Sequence, residues 1–154
     1  MLLIPTRRRT WAPQGQTPSV RYNYKHDRIS ALAALTVSPT RRPIGLYLRW
    51  QPHSFKAVDV AEFLRALLWH LRGQVVLLWD RSSIHKGSVI DVVCPGYPRM
   101  HLEEFPAYAP ELNPTEQVWN DFKGHLANGL LRDTRHLCER LRANTRRVRR
   151  SQAK

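Results

Sequence analysis

Apolar residues come in runs along this chain, and the period of the runs changes from one to the next. Residues 29–38 (ISALAALTVS) form a nearly continuous apolar stretch that ends at Pro39 and the polar Thr40–Arg42. Residues 44–50 (IGLYLRW) are a second stretch rich in strand formers. Together they predict a β-hairpin with a connection of about five residues. Over residues 55–72 the period switches. Val60, Phe63, Leu64, Leu67, Leu68 and Leu71 fall at helical spacing, with Ser54 as N-cap and Gly73 as the stop. Asp59 and Glu62 in the early turns suit the helix dipole. Val75–Trp79 then gives five apolar residues without alternation, as in a strand buried on both faces.

The rest is more broken. Residues 6–28 are rich in Arg, Pro, Gly and Gln and read as loop, with a short strand at Arg9–Ala12. Residues 85–93 predict a short helix stopped by Pro95-Gly96, and residues 100–105 (MHLEEF) a weak strand. After the proline-marked loop Pro106–Pro114, Asn113 caps a new helix with Pro114 at its first position. Val118, Trp119, Phe122 and Leu126 form its apolar face, and Gly129 ends it. A last helix runs from about Asp133 to Arg150, with Leu137, Leu141 and Val148 on one side and arginines elsewhere. There is no internal repeat. Hairpin, helix, strand, helix, strand, helix is an α/β plan with a mixed sheet.

Charge adds a partner to this picture. The net charge of +13 is concentrated at the ends. Residues 1–28 carry six basic and one acidic residue, 29–131 ten and nine, and 132–154 nine and two. A near-neutral body between two basic ends points to a polyanion, nucleic acid first; the alternative is a basic tail that only aids solubility. We divide the chain accordingly into a domain over 1–131 and a basic helix or tail over 132–154. The two cysteines, Cys94 and Cys138, form no CxxC pair and no zinc-ligand spacing. The opening MLLIPTRRR puts its charges after a short apolar run and does not read as a signal peptide. No stretch approaches the ~20 apolar residues of a membrane span, so the expected location is the bacterial cytoplasm.

Two carboxylates carry the candidate chemistry. Asp80 stands at the C-terminal end of a buried strand, where open α/β sheets place their ligands. It could equally cap the following turn with Ser82 or Ser83. Glu116 lies in the first turn of the helix begun by Asn113, at the spacing of a capping box that would account for it without catalysis. Neither residue decides the matter singly.

Their contexts decide more as a pair. Leu78-Trp79-Asp80-Arg81-Ser82-Ser83-Ile84-His85-Lys86 and Tyr108-Ala109-Pro110-Glu111-Leu112-Asn113-Pro114-Thr115-Glu116-Gln117-Val118-Trp119 stand with 35 residues between Asp80 and Glu116. With Arg8–Pro18 upstream, they resemble DDE transposases of the Tc/mariner-like superfamily, in its bacterial insertion-sequence branch, over roughly residues 3–130. The resemblance implies an RNase H-like mixed sheet with flanking helices. It implies a two-metal Mg²⁺ (or Mn²⁺) centre for cleavage and strand transfer of an insertion sequence, acting on transposon ends and target DNA as a homodimer. Asp80 and Glu116 would be the second and third metal-binding carboxylates. His85, Lys86 and Asn113 would support the site or contact DNA, although His85 could also be an N-cap or a surface residue. For Trp119, core packing is the better reading.

The sequence departs from the family pattern in one place. The family's first aspartate lies on a strand just before the segment resembled by Leu2–Pro18, and neither Asp27 nor Asp59 fits that role. That strand is central to the RNase H-like sheet. Without it the hairpin and strand 75–79 would face each other across a gap, leaving backbone groups unpaired at about 1–3 kcal/mol each where buried. The expectation is a chain inactive alone, its N-terminal part encoded upstream. A truncated remnant, a misplaced start and a frame-shifted half would each produce this. A non-catalytic nucleic-acid-binding protein of the same fold is the competing reading. A small basic structural protein, such as a ribosome-associated one, needs no carboxylates at these positions.

Overall fold

The structure is a computed structural model that describes residues 8–16, 19, 28–40, 44–85, 91, 93, 95–129 and 131–151. The elements in chain order are β1 (Ser30–Val37), β2 (Ile44–Gln51), α1 (Ala57–His70), β3 (Val75–Trp79), β4 (Met100–Glu104), α2 (Pro114–Leu126) and α3 (Thr134–Ser151). One-turn 3₁₀ segments occur at Ser83–His85 and Pro110–Leu112. Among the described residues the strands form two two-stranded sheets, the antiparallel hairpin β1–β2 and the parallel pair β3–β4. The architecture is α/β with both strand orientations, compatible with the RNase H-like plan.

The hairpin alternates as its register requires. Ala31 pairs with Trp50, Ala33 with Leu48, and Leu32 with Arg49. Paired residues share a face and neighbours along the strand do not, so Leu48 and Trp50 lie on one face and Leu32, Tyr47 and Arg49 on the other. The first face packs against α2 and α3. Leu48, Trp50 and Trp119 surround a core of Ile29, Phe122, Leu126, Leu131, Leu137 and Leu141. The second face meets α1. Leu32 joins a smaller core of Val60, Leu64 and Trp79, and Arg49 bonds Glu62 at 3.1 Å. Helices thus cover the hairpin on both sides.

The parallel pair is covered on one face only. Leu77 and Trp79 turn toward α1, while Val76 and Leu78 are 59% and 52% exposed. The unbroken apolar run predicted burial on both faces, and that expectation is corrected. The run records residues that tolerate burial, whereas the neighbour that would cover the second face is not among the described elements.

Helix boundaries shift for local reasons. α1 begins after Lys56, not at Ser54. Asp59 Oδ2 accepts the Lys56 N–H at 2.8 Å, doing the capping from inside the helix. Ser54 instead accepts from Arg28 through its hydroxyl. At the end of α2 the left-handed residue is Asn128 (φ 55°), not Gly129; asparagine tolerates that region. Its side-chain amide also clamps the Arg8 backbone, accepting Arg8 N–H at 3.1 Å and donating to Arg8 O at 2.9 Å. Arg9–Ala12 is irregular and exposed, not a strand. Of the predicted helix 85–93, His85 closes the 3₁₀ turn and Asp91 and Val93 are helical. Residues 86–90 and 92 lie outside the described residues.

Candidate functional site

Asp80 follows β3 directly, so the strand fixes its place. Its Oδ1 accepts the Ser82 N–H at 3.0 Å, an Asx-type turn that reverses the chain after the strand. The turn-capping role open from the sequence is therefore real. The same oxygen lies 3.0 Å from His85 Nδ1. Asp80 O lies 2.9 Å from that nitrogen. Two oxygen acceptors converge on Nδ1, so Nδ1 acts as the donor there, and Nε2 has no hydrogen-bond partner among the described residues. Asp80 Oδ2 makes no hydrogen bond or ion pair with any described residue, and the side chain is 58% exposed.

His85 is not a surface residue, its side chain being 13% exposed. Its imidazole lies flat on the Trp79 indole, with ring centroids 4.6 Å apart and planes 2° from parallel. Trp79 is buried, and its Nε1–H has no hydrogen-bond partner among the described residues. Stack and hydrogen bonds fix the imidazole in two directions, and through it the Asp80 carboxylate. Next to it, the β3–β4 register sets Glu104 beside Trp79. Glu104 reaches back to Arg81 Nε at 3.0 Å. Sequence reasoning missed Glu104. Its position at the strand end follows only from the pairing, which a weak five-residue strand does not announce.

Glu116 is held differently. Asn113 caps α2, its Oδ1 accepting the Thr115 N–H at 3.1 Å. A capping box would also need the Glu116 carboxylate to accept the Asn113 N–H, but that donor goes to Pro110 O at 3.0 Å. The capping-box alternative fails. Glu116 is partly buried, and its carboxylate has no hydrogen-bond or ion-pair partner among the described residues. Asn113 Oδ1 also accepts from the Thr115 hydroxyl, so that oxygen is spent on the cap. Trp119 packs edge-on to Phe122 at 6.0 Å, as core packing requires.

The structure thus brings Asp80 and His85 together, with Trp79, Ser82, Arg81 and Glu104 around them. It sets Glu116 at the start of α2 with Asn113, and no hydrogen bond or ion pair joins the two groups. Lys86 lies outside the described residues. In the loop between the two groups, Tyr108 is fully exposed and adopts a left-handed backbone at φ 59°. Among the described residues no group of three or more His, Cys, Asp and Glu side chains stands close enough to hold a metal ion.

A family model described as DDE superfamily endonuclease matches residues 1–138. The chain belongs to that family. The matched span runs through Asp80 and Glu116 and ends inside α3. No curated protein matches this chain. Membership brings an endonuclease-type activity, DNA as substrate and the family's typical use of divalent metal. The donors suit such an ion in kind, because Asp80 Oδ2 and the Glu116 carboxylate are hard oxygen atoms without a hydrogen-bond or ion-pair partner among the described residues. Among the described helices none is long and apolar enough to cross a membrane.

Proposed function

We propose that Asp80 and Glu116 are two of three metal-binding carboxylates of an insertion-sequence transposase of the Tc/mariner-like branch. The third would be carried on a strand that inserts between β1 and β3. The observation that supports this best is the unspent state of both carboxylates. Asp80 is steered by His85 and Ser82 through Oδ1 alone, and Glu116, with the capping box gone, keeps only its favourable place in the first turn of α2. An unpartnered carboxylate that is partly buried is unfavourable unless something cationic meets it. The divided sheet supports the third ligand. β3 has a strand on one edge only among the described residues, and its Val76–Leu78 face is uncovered.

In this reading the chain's own residues orient and do not yet act. His85, pinned on Trp79, holds Asp80 at the end of β3. Asn113 fixes the first turn of α2, from which Glu116 projects. Bound between such carboxylates, Mg²⁺ or Mn²⁺ would supply activation of the attacking oxygen and stabilisation of the leaving one in phosphodiester displacement. Two carboxylates make an incomplete set, and the 154-residue chain is inactive alone.

The test supplies the upstream part and measures Mg²⁺-dependent cleavage of the element's ends. Cleavage should appear only with both parts and vanish with Asp80→Asn or Glu116→Gln. Cleavage by the 154-residue chain alone, abolished by Asp80→Asn, would overturn the need for a third ligand. The positive charge concentrated at the two ends of the chain favours a second reading, a non-catalytic DNA-binding protein of the same fold. It would be supported by DNA binding indifferent to Asp80→Asn with no cleavage after complementation.

A further inference from the structure

The arginines of α3 divide into two groups. One is spent within the fold. Arg149 places two donors on Leu46 O, at 3.1 and 2.7 Å. Arg147 bonds Asn144 Oδ1 at 2.9 Å and pairs with Asp121. Arg140 reaches His125 O at 3.4 Å, and Arg135 pairs with Glu139 at 3.5 Å. The other group is Arg142, Arg146 and Arg150. All three are exposed, and none has a hydrogen bond or ion pair with any described residue.

The second group has a geometry. Its members are four residues apart, so successive guanidinium groups climb one side of the helix by about 6 Å per step. The opposite side is fixed, since Leu137 and Leu141 are fully buried and Asn144 and Thr145 are buried beside them. The helix cannot rotate to hide the ladder. Like charges at this spacing weaken a helix. Complementing the helix dipole does not explain the ladder, because that effect is confined to the last turn and Arg142 lies well before Ser151.

We propose that the outer face of α3 is a docking surface for duplex DNA, with Arg142, Arg146 and Arg150 each meeting a backbone phosphate. The charge complementarity is direct. Duplex DNA presents a negative charge about every 1.7 Å along its axis, and a guanidinium forks onto phosphate oxygens. With each guanidinium committed to a backbone phosphate, the contact positions DNA without selecting sequence. This rests on DNA being the substrate, as proposed above, but not on either carboxylate.

The experiment uses the full 154-residue chain and a fluorescein-labelled duplex of mixed sequence, with anisotropy followed over a salt series in EDTA. Without divalent metal, a failure of the two-carboxylate reading leaves the result untouched. The triple variant Arg142→Gln, Arg146→Gln, Arg150→Gln is compared with Arg65→Gln, Arg72→Gln, Lys123→Gln, which removes the same charge from other exposed positions. The ladder variant should lower the slope of log K against log salt by about 2.7, or about 0.9 per lost phosphate contact. The control should change it by less than about one such contact. If the triple variant does not fold by circular dichroism, Arg146→Gln alone should lower the slope by about 0.9. Equal losses in ladder variant and control would show a net-charge effect and overturn the proposal. So would an unchanged slope in the ladder variant.

Discussion

Replacing Phe122 with alanine should remove a large share of this chain's stability. Phe122 is fully buried at the centre of the larger core. It stacks on Trp50 of β2, with centroids 6.0 Å apart and planes 23° apart, and meets Trp119 edge-on at 6.0 Å. Trp50 and Trp119 also meet edge-on at 6.2 Å. The three rings are the joint between the hairpin and α2. Truncating a buried phenylalanine costs about 3–5 kcal/mol, against roughly 5–15 kcal/mol for a whole domain. Phe122→Leu keeps much of the apolar volume and should lose mainly the ring contacts, about 0.5–1.5 kcal/mol for each pair. Urea unfolding followed by tryptophan fluorescence reads both variants, since two of the reporting indoles flank the site. A double-mutant cycle of Phe122→Leu with Trp50→Leu should return a coupling of about 0.5–1.5 kcal/mol. A Phe122→Ala loss below about 1 kcal/mol, or a coupling near zero, would refute the view that these rings join the two elements. The consequence reaches the candidate site, because α2 carries Glu116 and the rings set its angle to the hairpin.

Three further outcomes are expected. The Lys56 N–H bonded to Asp59, helped by the Gln51 side chain and by Arg49 and His53 nearby, holds the Asp59 carboxyl below its ordinary value of 3.8 against the opposing effect of burial. A lowered folded pKa means stability that is fully present above the unfolded value and lost as pH falls through the folded one. The melting-temperature gap between the native chain and Asp59→Asn should therefore be widest near neutrality and close in strong acid; a gap independent of pH would contradict it. Arg149→Met leaves the Leu46 carbonyl without its two donors and should cost about 1–3 kcal/mol in urea unfolding. Tyr108→Gly relieves a left-handed tyrosine, a conformation costing about 1–2 kcal/mol. It should leave the chain as stable or up to about 1 kcal/mol more stable once the glycine's larger unfolded-state entropy is counted. A clear destabilisation would mean the ring has a packing role that its full exposure denies.

The hairpin and the helices were legible because their signals are local. The apolar runs over 29–38 and 44–50, the 3.6-residue period over Val60–Leu68 and the Asn-Pro start of α2 each depend on neighbours in sequence. What escaped depends on neighbours in space. Val75–Trp79 has the composition of a fully buried strand, yet composition does not say whether a covering element is present, and here Val76 and Leu78 meet solvent. Ser54 was a better cap by residue type than Lys56, but Asp59 supplies the acceptor from the first turn. The stack of His85 on Trp79 joins residues six apart through a tight turn, and only the fold of that turn brings the rings into register. Glu104 reached the strand end through a parallel pairing that no periodicity reveals.

The two carboxylates began with equivalent doubts, and the structure resolved them in opposite directions, which decides how each is to be probed. Asp80 does cap its turn, so Asp80→Ala removes the acceptor for Ser82 N–H and the oxygen facing His85. Losing such a cap costs about 0.5–2 kcal/mol, and lost activity would then be confounded with a displaced turn. Asp80→Asn avoids this, because the asparagine Oδ1 can accept both contacts while the charge is gone. It should unfold within about 0.5 kcal/mol of the native chain, as surface substitutions usually do. Glu116 has no side-chain hydrogen bond or ion pair to lose among the described residues. Glu116→Gln and even Glu116→Ala should leave stability equally unchanged, and removing an unpartnered, partly buried charge can raise it. A Glu116→Ala loss above about 1 kcal/mol would mean that the carboxylate is already committed within the fold. That result would remove the main support for its role as a ligand. Unchanged stability alongside abolished cleavage in the complemented protein would place its contribution in the chemistry alone.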